Sequence, residues 1–407
     1  MPIVRWLFLF ACATLAAAAA EPAGAFATGR YRDLFHEYLG KSDAAVDAKL
    51  AGAWQHFFRG DEAAQRLFYP IAGDMAYIPD VANNDVRTEG LSYGMMICVQ
   101  TGHQPEFNQL WKYAKHFLQH ESGPMRGYFA WHSTLDGRQL DPGPACDGEE
   151  WFVTALFFAA HRWGNDDGIF NYEAEAQSLL RTMLHKDEEP GHGDATNMID
   201  RTAHQVNFVP HGPGATYTDP SYHLPAFYEL WARWAAAPED RATLAQLAPT
   251  SREFFRRVAH PQTGLMPDLC GFDGKSVQPG RDAFLYDAWR TLSNPAVDWS
   301  WWAADPWEIA QSNRVLGFLA AQGPNCVNRF QLDGTPIGRD VNSPGVIAMA
   351  ACAALAADRK TGAPFVQRLW DLPLPEGRYR YYNGLLTYLA LLEVSGNFRI
   401  FPPPVSH

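Results

Sequence analysis

The sequence predicts an all-α protein folded as an (α/α)6 barrel, in which six inner helices stand inside six outer helices. Beyond about residue 43, apolar side chains recur at helical spacing, and good period-2 strand segments are absent. Helices of two kinds alternate along the chain, one kind apolar on nearly all sides and the other with a charged face. No repeat of fixed period accompanies this alternation, which favours a closed double ring over an open α-solenoid.

Twelve helical segments carry the pattern. In the amphipathic kind, apolar residues such as Phe107, Leu110 and Trp111 share one face. In the other kind, such as residues 385–392, apolar side chains cover every face, which is typical of a buried helix. Several starts coincide with proline, a residue favoured in the first helical turn. The predicted starts lie near Asp43, Gly90, Pro105, Glu149, Tyr172, His223, Asp240, Ala283, Pro306, Pro344, Pro364 and Asn383.

Strict alternation also predicts where a site would form. If every second helix is an inner one, all inner helices run in the same direction and their N-terminal ends meet on one rim. The loops that enter these helices collect acids, Tyr, Arg, Gly and Trp. They span residues 83–90, 141–150, 216–222, 281–290, 340–344 and 378–382.

Composition and charge exclude several classes of partner. The chain has 407 residues, is 47% hydrophobic and contains 14 Trp, which indicates a folded protein and suggests a stacking surface for a ligand with flat faces. A net charge of −12 argues against nucleic acid and against an anionic membrane surface. We expect a monomer.

The N-terminus predicts export. Arg5 precedes an apolar run over residues 6–15 and small residues at 16–20, as in a secretory signal peptide. The run is shorter than the roughly 20 residues that a membrane span needs. We expect cleavage after Ala20, or alternatively after Ala27, and one catalytic domain over residues 28–402. The mature protein is then secreted or periplasmic.

Cysteine and motif content point away from metal chemistry. The cysteines beyond the leader lack CxxC spacing, so neither a zinc site nor a disulfide framework is indicated, although a Cys270–Cys326 bridge stays open. HExxH and P-loop motifs are absent from the sequence. We expect no metal and no organic cofactor.

Carboxylates beside aromatic residues remain, as in sites that split glycosidic bonds. Glu89 sits among apolar residues that would keep its carboxyl protonated, although it could simply favour a helix N-terminus. Asp287 lies in an apolar segment three residues before Arg290, so catalysis and a structural ion pair are both open. Asp147 could cap a helix. Trp131 and Tyr222 could stack on sugars or fill the core.

Four separated motifs resemble glycoside hydrolase family 8. They are residues 84–95 (Asn-Asp-Val-Arg-Thr-Glu-Gly-Leu-Ser-Tyr-Gly-Met), 145–150 (Ala-Cys-Asp-Gly-Glu-Glu), 218–222 (Thr-Asp-Pro-Ser-Tyr) and 286–290 (Tyr-Asp-Ala-Trp-Arg). The likeness runs from about residue 30 to 401 and is nearest to the branch of reducing-end xylose-releasing exo-oligoxylanases. It implies an (α/α)6 barrel and inversion at the anomeric carbon of β-1,4-linked xylo-oligosaccharides.

The resemblance also implies residue roles. Glu89 would be the general acid, Asp287 the general base and Tyr222 a holder of the attacking water. An inverting pair of carboxyls lies roughly 6.5–9.5 Å apart. The resemblance places Asn342 where exo-acting members carry a histidine that binds the reducing-end sugar and closes the cleft. The substrate-binding residues would be Arg87, Trp131, Asp147, Arg290, Asn342 and Tyr382.

Three alternatives remain. An open cleft would give an endo-acting xylanase or glucanase of the same family. A chitosanase would use the acidic charge to attract a cationic polymer. A catalytically silent sugar-binding barrel would keep Trp131 and Tyr222 but would need neither Glu89 nor Asp287.

Overall fold

A computed structural model of the protein describes residues 23–404, and the predicted leader over residues 1–20 lies outside this range. Fourteen α-helices lie in the described range, and most of them follow the predicted segments. Their bounds are α1 Ala25–Thr28, α2 Leu34–Leu39, α3 Asp43–Trp54, α4 Thr88–Thr101, α5 Gln104–Tyr113, α6 Cys146–Trp163, α7 Tyr172–His185, α8 Pro225–Trp234, α9 Pro238–Val258, α10 Asn294–Trp302, α11 Trp307–Ala321, α12 Pro344–Cys352, α13 Arg359–Asp371 and α14 Arg380–Val394.

Helices α3 to α14 form the double ring, which confirms the predicted (α/α)6 barrel. Helices α4, α6, α12 and α14 are buried along nearly their whole length, whereas α5, α7, α9 and α13 bury one face. The inner ring is continuous where α4 packs against α6 and α14, α12 against α14, and α8 against α10. Between α6 and α8, the indole of Trp231 donates to Thr154 at 3.0 Å.

Two predicted starts were wrong. The segment near Ala283 does not open a helix: Phe284 pairs in an extended bridge with Phe330, a 3-10 turn covers Asp287–Leu292, and α10 follows. The start near Pro364 was placed inside α13, which begins five residues earlier at Arg359. In both cases the local pattern located the apolar face of the segment correctly but not the point at which regular backbone hydrogen bonding begins.

The barrel also carries short strands, although the sequence shows no good period-2 strand segments. They are β1 Tyr69–Ile71, β2 Met75–Tyr77, β3 Pro79–Asp80, β4 Asp85–Arg87, β5 His132–Ser133, β6 Gln139–Asp141, β7 Ile199–Asp200, β8 Gln205–Val206, β9 Tyr217–Thr218 and β10 Cys270–Gly271. Strands β3 to β6 form one antiparallel sheet in sequence order. At two or three residues each, such strands are too short for an alternating pattern to be visible in the sequence.

The cysteines of the described range are all free and buried, so the Cys270–Cys326 alternative was wrong. In residues 23–404, no helix is long and apolar enough to cross a membrane. The same range holds no group of three or more His, Cys, Asp or Glu side chains placed to bind a metal ion.

Candidate active site

The N-terminal rim of the inner helices carries the predicted site. Glu89 lies in the first turn of α4 and Asp147 in the first turn of α6. Gly148 lets these two helix ends approach, because a Cβ atom at this position would lie 2.4 Å from the hydroxyl of Thr88. Asp287 opens the 3-10 turn that leads into α10, and Tyr222 ends another turn just before α8.

The guanidinium of Arg290 contacts the carboxyl groups of three acidic residues of the site. Nη1 of Arg290 donates to Glu89 at 3.1 Å, to Asp147 at 3.0 Å and to the hydroxyl of Tyr93 at 2.8 Å. Nη2 of the same side chain lies 3.5 Å from Asp287. Arg290 is only 5% exposed, so it lies beneath the cleft and neutralises carboxylates that would otherwise repel one another there.

Burial favours the protonated form of the Glu89 carboxyl. Burial raises its pKa to about 7, the nearby charges of Asp147 and Asp287 add to the rise, and Arg290 opposes it. Its other oxygen, Oε1, accepts a hydrogen bond of 2.9 Å from the hydroxyl of Tyr381. A carboxylic acid that stays protonated near neutral pH can donate a proton to a leaving group.

Asp287 has a different environment. Its side chain is 32% exposed, and Oδ2 accepts a hydrogen bond of 2.7 Å from Nη2 of Arg281. Oε2 of Glu89 lies 3.1 Å from Nη1 of Arg290 and Oδ1 of Asp287 lies 3.5 Å from Nη2, so the guanidinium of Arg290 contacts both candidate carboxyls.

Two cavities meet at this acid pair. One, of about 830 Å³, is lined by Tyr286, Tyr382 and Asn342 among others, and the second, of about 520 Å³, is lined by Trp131, Asp147 and Tyr222 among others. Arg87, Glu89 and Asp287 line both. The two cavities therefore form one cleft, and the two candidate catalytic carboxyls stand where its halves join.

The smaller half of the cleft has a fixed wall. Strand β4 delivers Arg87, which is paired with Asp80 at 3.0 Å and lies 5.7 Å from the ring of Trp131. The backbone N–H of Thr88 donates to the carbonyl of Trp131 at 3.0 Å, which ties this aromatic residue to the start of α4. Tyr222 stacks on Phe208 at 5.8 Å, and burial raises the pKa of its hydroxyl well above the usual range.

The larger half carries the remaining candidates. The hydroxyl of Tyr382 donates to the carbonyl of Tyr286 at 3.0 Å. Asn342 donates to the carbonyl of Pro324 at 2.8 Å and accepts from Arg368 at 2.9 Å. Both polar atoms of the Asn342 amide are thus engaged within the protein.

Some residues of the site escaped the sequence prediction. The sequence predicted a role for Tyr382 but none for its neighbour Tyr381. It also predicted no role for Asp219, although this residue belongs to one of the four motifs. Asp268 is 3% exposed and Arg281 contacts Asp287 directly. The charged Asp268 within the apolar stretch 265–270 was a signal that could have been found in the sequence.

The fold and the cleft at its rim together define a glycosidase, because carboxyl groups beside aromatic side chains suit the cleavage of glycosidic bonds. Residues 73–396 match the sequence model of glycosyl hydrolases family 8, and the chain belongs to this family.

Named relatives include the reducing-end xylose-releasing exo-oligoxylanase Rex8A of Paenibacillus barcinonensis, which is 41% identical over 93% of this chain and 98% of its own length. A protein of the same description from Halalkalibacterium halodurans is 38% identical over 93% and 97%. The crystal structure of a family 8 xylobiose complex from Teredinibacter turnerae superposes with a TM-score of 0.89. It is 44% identical over 93% of this chain and 100% of that chain.

Proposed function

We propose that this glycosidase hydrolyses β-1,4-linked xylo-oligosaccharides with inversion and releases xylose from the reducing end. The observation that carries the proposal is the pair Glu89 and Asp287, which stand at the junction of the two half-clefts and share contact with Arg290. The substrate class is supported by the two curated relatives described as reducing-end xylose-releasing exo-oligoxylanases.

Glu89 acts as the general acid. Its protonated carboxyl gives its proton to the glycosidic oxygen while the bond from that oxygen to the anomeric carbon breaks. The pKa of about 7 keeps the proton in place below neutral pH. After the products leave, Glu89 regains a proton from solvent.

Asp287 acts as the general base. It takes a proton from a water molecule whose oxygen bonds to the anomeric carbon on the face opposite the leaving group, so configuration inverts. Tyr222 helps to hold this water, because its buried phenol keeps its proton and lines the same half-cleft. Asp287 then releases to solvent the proton that it took from the water, so that over one turnover water is consumed and one glycosidic bond is replaced by two hydroxyls.

The smaller half-cleft binds the sugar whose anomeric carbon is attacked. Trp131 offers an apolar face to the sugar ring. Asp147 can accept hydrogen bonds from sugar hydroxyls, and Arg290 holds its carboxylate in place at 3.0 Å. Arg87 stands over Trp131 and fixes the edge of this subsite.

In the larger half-cleft, Tyr382 binds the reducing-end xylose, and Asn342 can add the one N–H and the one lone pair that its contacts to Pro324 and Arg368 leave free. A second candidate function is endo cleavage of xylan. It is favoured by the volume of this half, about 830 Å³, which is more than one xylose fills, and by the engagement of the Asn342 amide within the protein.

Product analysis separates these functions. On xylotriose labelled at the reducing end, exo action releases labelled xylose as the first product, and NMR should detect the α-anomer at the newly formed reducing end. Mixed oligomers from long xylan would establish endo action instead. A β-anomer as first product would overturn inversion, and full activity of both Glu89→Ala and Asp287→Ala would overturn the assignment of the pair.

We also propose that the protein is exported and that it is a monomer. Cleavage after Ala20 would retain Phe26, which stacks on Trp302 at 4.3 Å, whereas cleavage after Ala27 would remove it. We therefore expect the secreted or periplasmic protein to begin at Glu21, which N-terminal sequencing of the exported chain would test. Light scattering should give the mass of a monomer.

A further inference from the structure

Asp287 receives one hydrogen bond to its carboxylate within residues 23–404, and this bond comes from Arg281. Oδ2 is occupied by Arg281, whereas Oδ1 lies 3.5 Å from Arg290. A general base needs one oxygen free for the attacking water and one oxygen held. The contact from Arg281 therefore decides which oxygen of Asp287 faces the water.

Arg281 is itself held by a buried carboxyl. Its Nε lies 3.2 Å from Oδ2 of Asp268, and Asp268 is 3% exposed. The backbone fixes the same neighbours, because Leu269 donates to the carbonyl of Arg281 and Asp268 to that of Ala283, both at 2.9 Å. Arg281 is thus anchored along its backbone and at its side chain.

Asp268 also contacts the backbone beside Asp287 through its other carboxyl oxygen. Its Oδ1 accepts a hydrogen bond of 2.9 Å from the backbone N–H of Ala288, the residue directly after Asp287. One buried carboxyl therefore fixes both the backbone next to the base and the cation that orients the carboxylate of the base.

We propose that Arg281 and Asp268 are positioning residues for Asp287: Arg281 orients the carboxylate that activates water, and Asp268 acts through Arg281. This inference rests on the proposed function of Asp287 as general base. Neither residue donates a proton to the substrate.

Several carboxyl groups and two cations surround Asp287. The carboxyl groups that influence it come from four other segments and belong to Glu89, Asp147, Asp219 and Asp268. The opposing cations are Arg281 and Arg290, and the phenols of Tyr222 and Tyr382 complete the surroundings. Arg290 is shared with Glu89 and Asp147, so Arg281 is the cation left for the base.

The test uses Arg281→Met, Arg281→Lys, Asp268→Asn, the double variant Arg281→Met/Asp268→Asn, and the control Asp273→Asn. Asp273 is 54% exposed and pairs with Lys275 on the same loop, away from the cleft. Asn at position 268 can still accept from the backbone N–H of Ala288, but it removes the negative charge that lies 3.2 Å from Nε of Arg281. Activity is measured on xylotriose and on β-xylobiosyl fluoride, whose leaving group needs no proton.

We expect Arg281→Met to lower kcat about 30-fold on both substrates, with KM changed less than threefold, because the carboxylate of Asp287 loses the hydrogen bond that orients it. Arg281→Lys should recover part of the rate, because its charge can still reach Asp287. Asp268→Asn should lower kcat about fivefold in the native background and have no further effect in the Arg281→Met background. Asp273→Asn should match the native enzyme.

Three outcomes would overturn the inference. They are an unchanged kcat in Arg281→Met, a loss confined to xylotriose, and equal effects of Asp268→Asn in both backgrounds. The folded fraction of each variant is checked by thermal unfolding, and Arg281→Lys serves as the informative variant if Arg281→Met is unstable. If the native enzyme hydrolyses no xylo-oligosaccharide, the proposed function itself fails, which is a distinguishable result.

Discussion

The hydroxyl of Tyr381 donates to Oε1 of Glu89 at 2.9 Å, although 292 positions separate the two residues in the chain. The first turn of the last inner helix thus touches the first turn of the first inner helix. Ring closure of the barrel therefore builds the environment of the candidate acid directly.

Tyr381→Phe should move the basic limb of the pH profile. The proposed mechanism needs protonated Glu89, so kcat/KM should fall as pH rises through about 7 in the native enzyme. The hydroxyl of Tyr381 favours ionised Glu89, and its loss should shift this limb to higher pH by up to about one unit. A pH profile of kcat/KM measures the shift, and a shift to lower pH would contradict the stated role.

Glu89→Gln should lose at least about 10³-fold in kcat on xylotriose, because general acid catalysis contributes 10²–10⁴-fold. On β-xylobiosyl fluoride the same variant should stay within about tenfold of the native rate, since fluoride leaves without a proton. The exposed Glu121→Gln serves as control. Equal losses on both substrates would show that Glu89 does something other than protonate the leaving oxygen.

Gly90→Ala should disable the site while leaving the barrel folded. A Cβ atom at position 90 would lie 2.5 Å from the ring of Tyr381, so this ring and its contact to Glu89 must move. Gly317→Ala is the matched control, because no heavy atom lies within 4 Å of its added Cβ. We expect at least tenfold lower kcat for Gly90→Ala only. Native activity together with an unchanged Tyr381 position in a crystal structure of the variant would refute this.

Arg290→Met should destabilise the fold by about 3–5 kcal/mol, because it leaves Glu89 and Asp147 without the buried cation that they share. The loss should shrink at pH 5, where more of the buried carboxyls are protonated. Denaturant unfolding at pH 5 and pH 8 measures both effects. Equal destabilisation at the two pH values would mean that packing, and not charge, is the main contribution of this side chain.

Glu393→Gln should stabilise the protein at high pH. Burial raises the pKa of Glu393 from 4.5 to about 7, so its protonated form is favoured in the folded state. The contribution of this carboxyl to the free energy of unfolding is complete below pH 4.5 and is lost as pH rises through 7. Gln keeps the acceptor for Ser293 and cannot ionise, so we expect a gain of roughly 2–3 kcal/mol at pH 9 and none at pH 4.5. Urea unfolding at both pH values provides the measurement.

The sequence was informative where the signal is periodic or local. The alternation of fully apolar and one-sided apolar helices predicted the two layers. The four motifs contain the candidate residues that lie on one rim: Glu89, Asp147, Tyr222 and Asp287. It was less informative about helix starts such as that near Ala283, because the same apolar pattern continues through extended backbone, a 3-10 turn and α10.

The contacts between segments were not predictable in this way. Whether Tyr381 or Tyr382 faces Glu89 depends on the rotation of α14 about its axis, which packing against α4 and α12 sets. The contacts of Arg281 to Asp268 and Asp287 depend on a loop that no period describes.

The sequence alone therefore determined the helical class and the order of inner and outer helices, because hydrophobic periodicity is a property of the chain itself. The candidate acids were predicted from the resemblance of four motifs to one family. Only the tertiary structure decided which cation serves which carboxyl. Arg290 is shared by three acids and Arg281 joins Asp268 and Asp287, since burial and distances of about 3 Å depend on how separate segments pack.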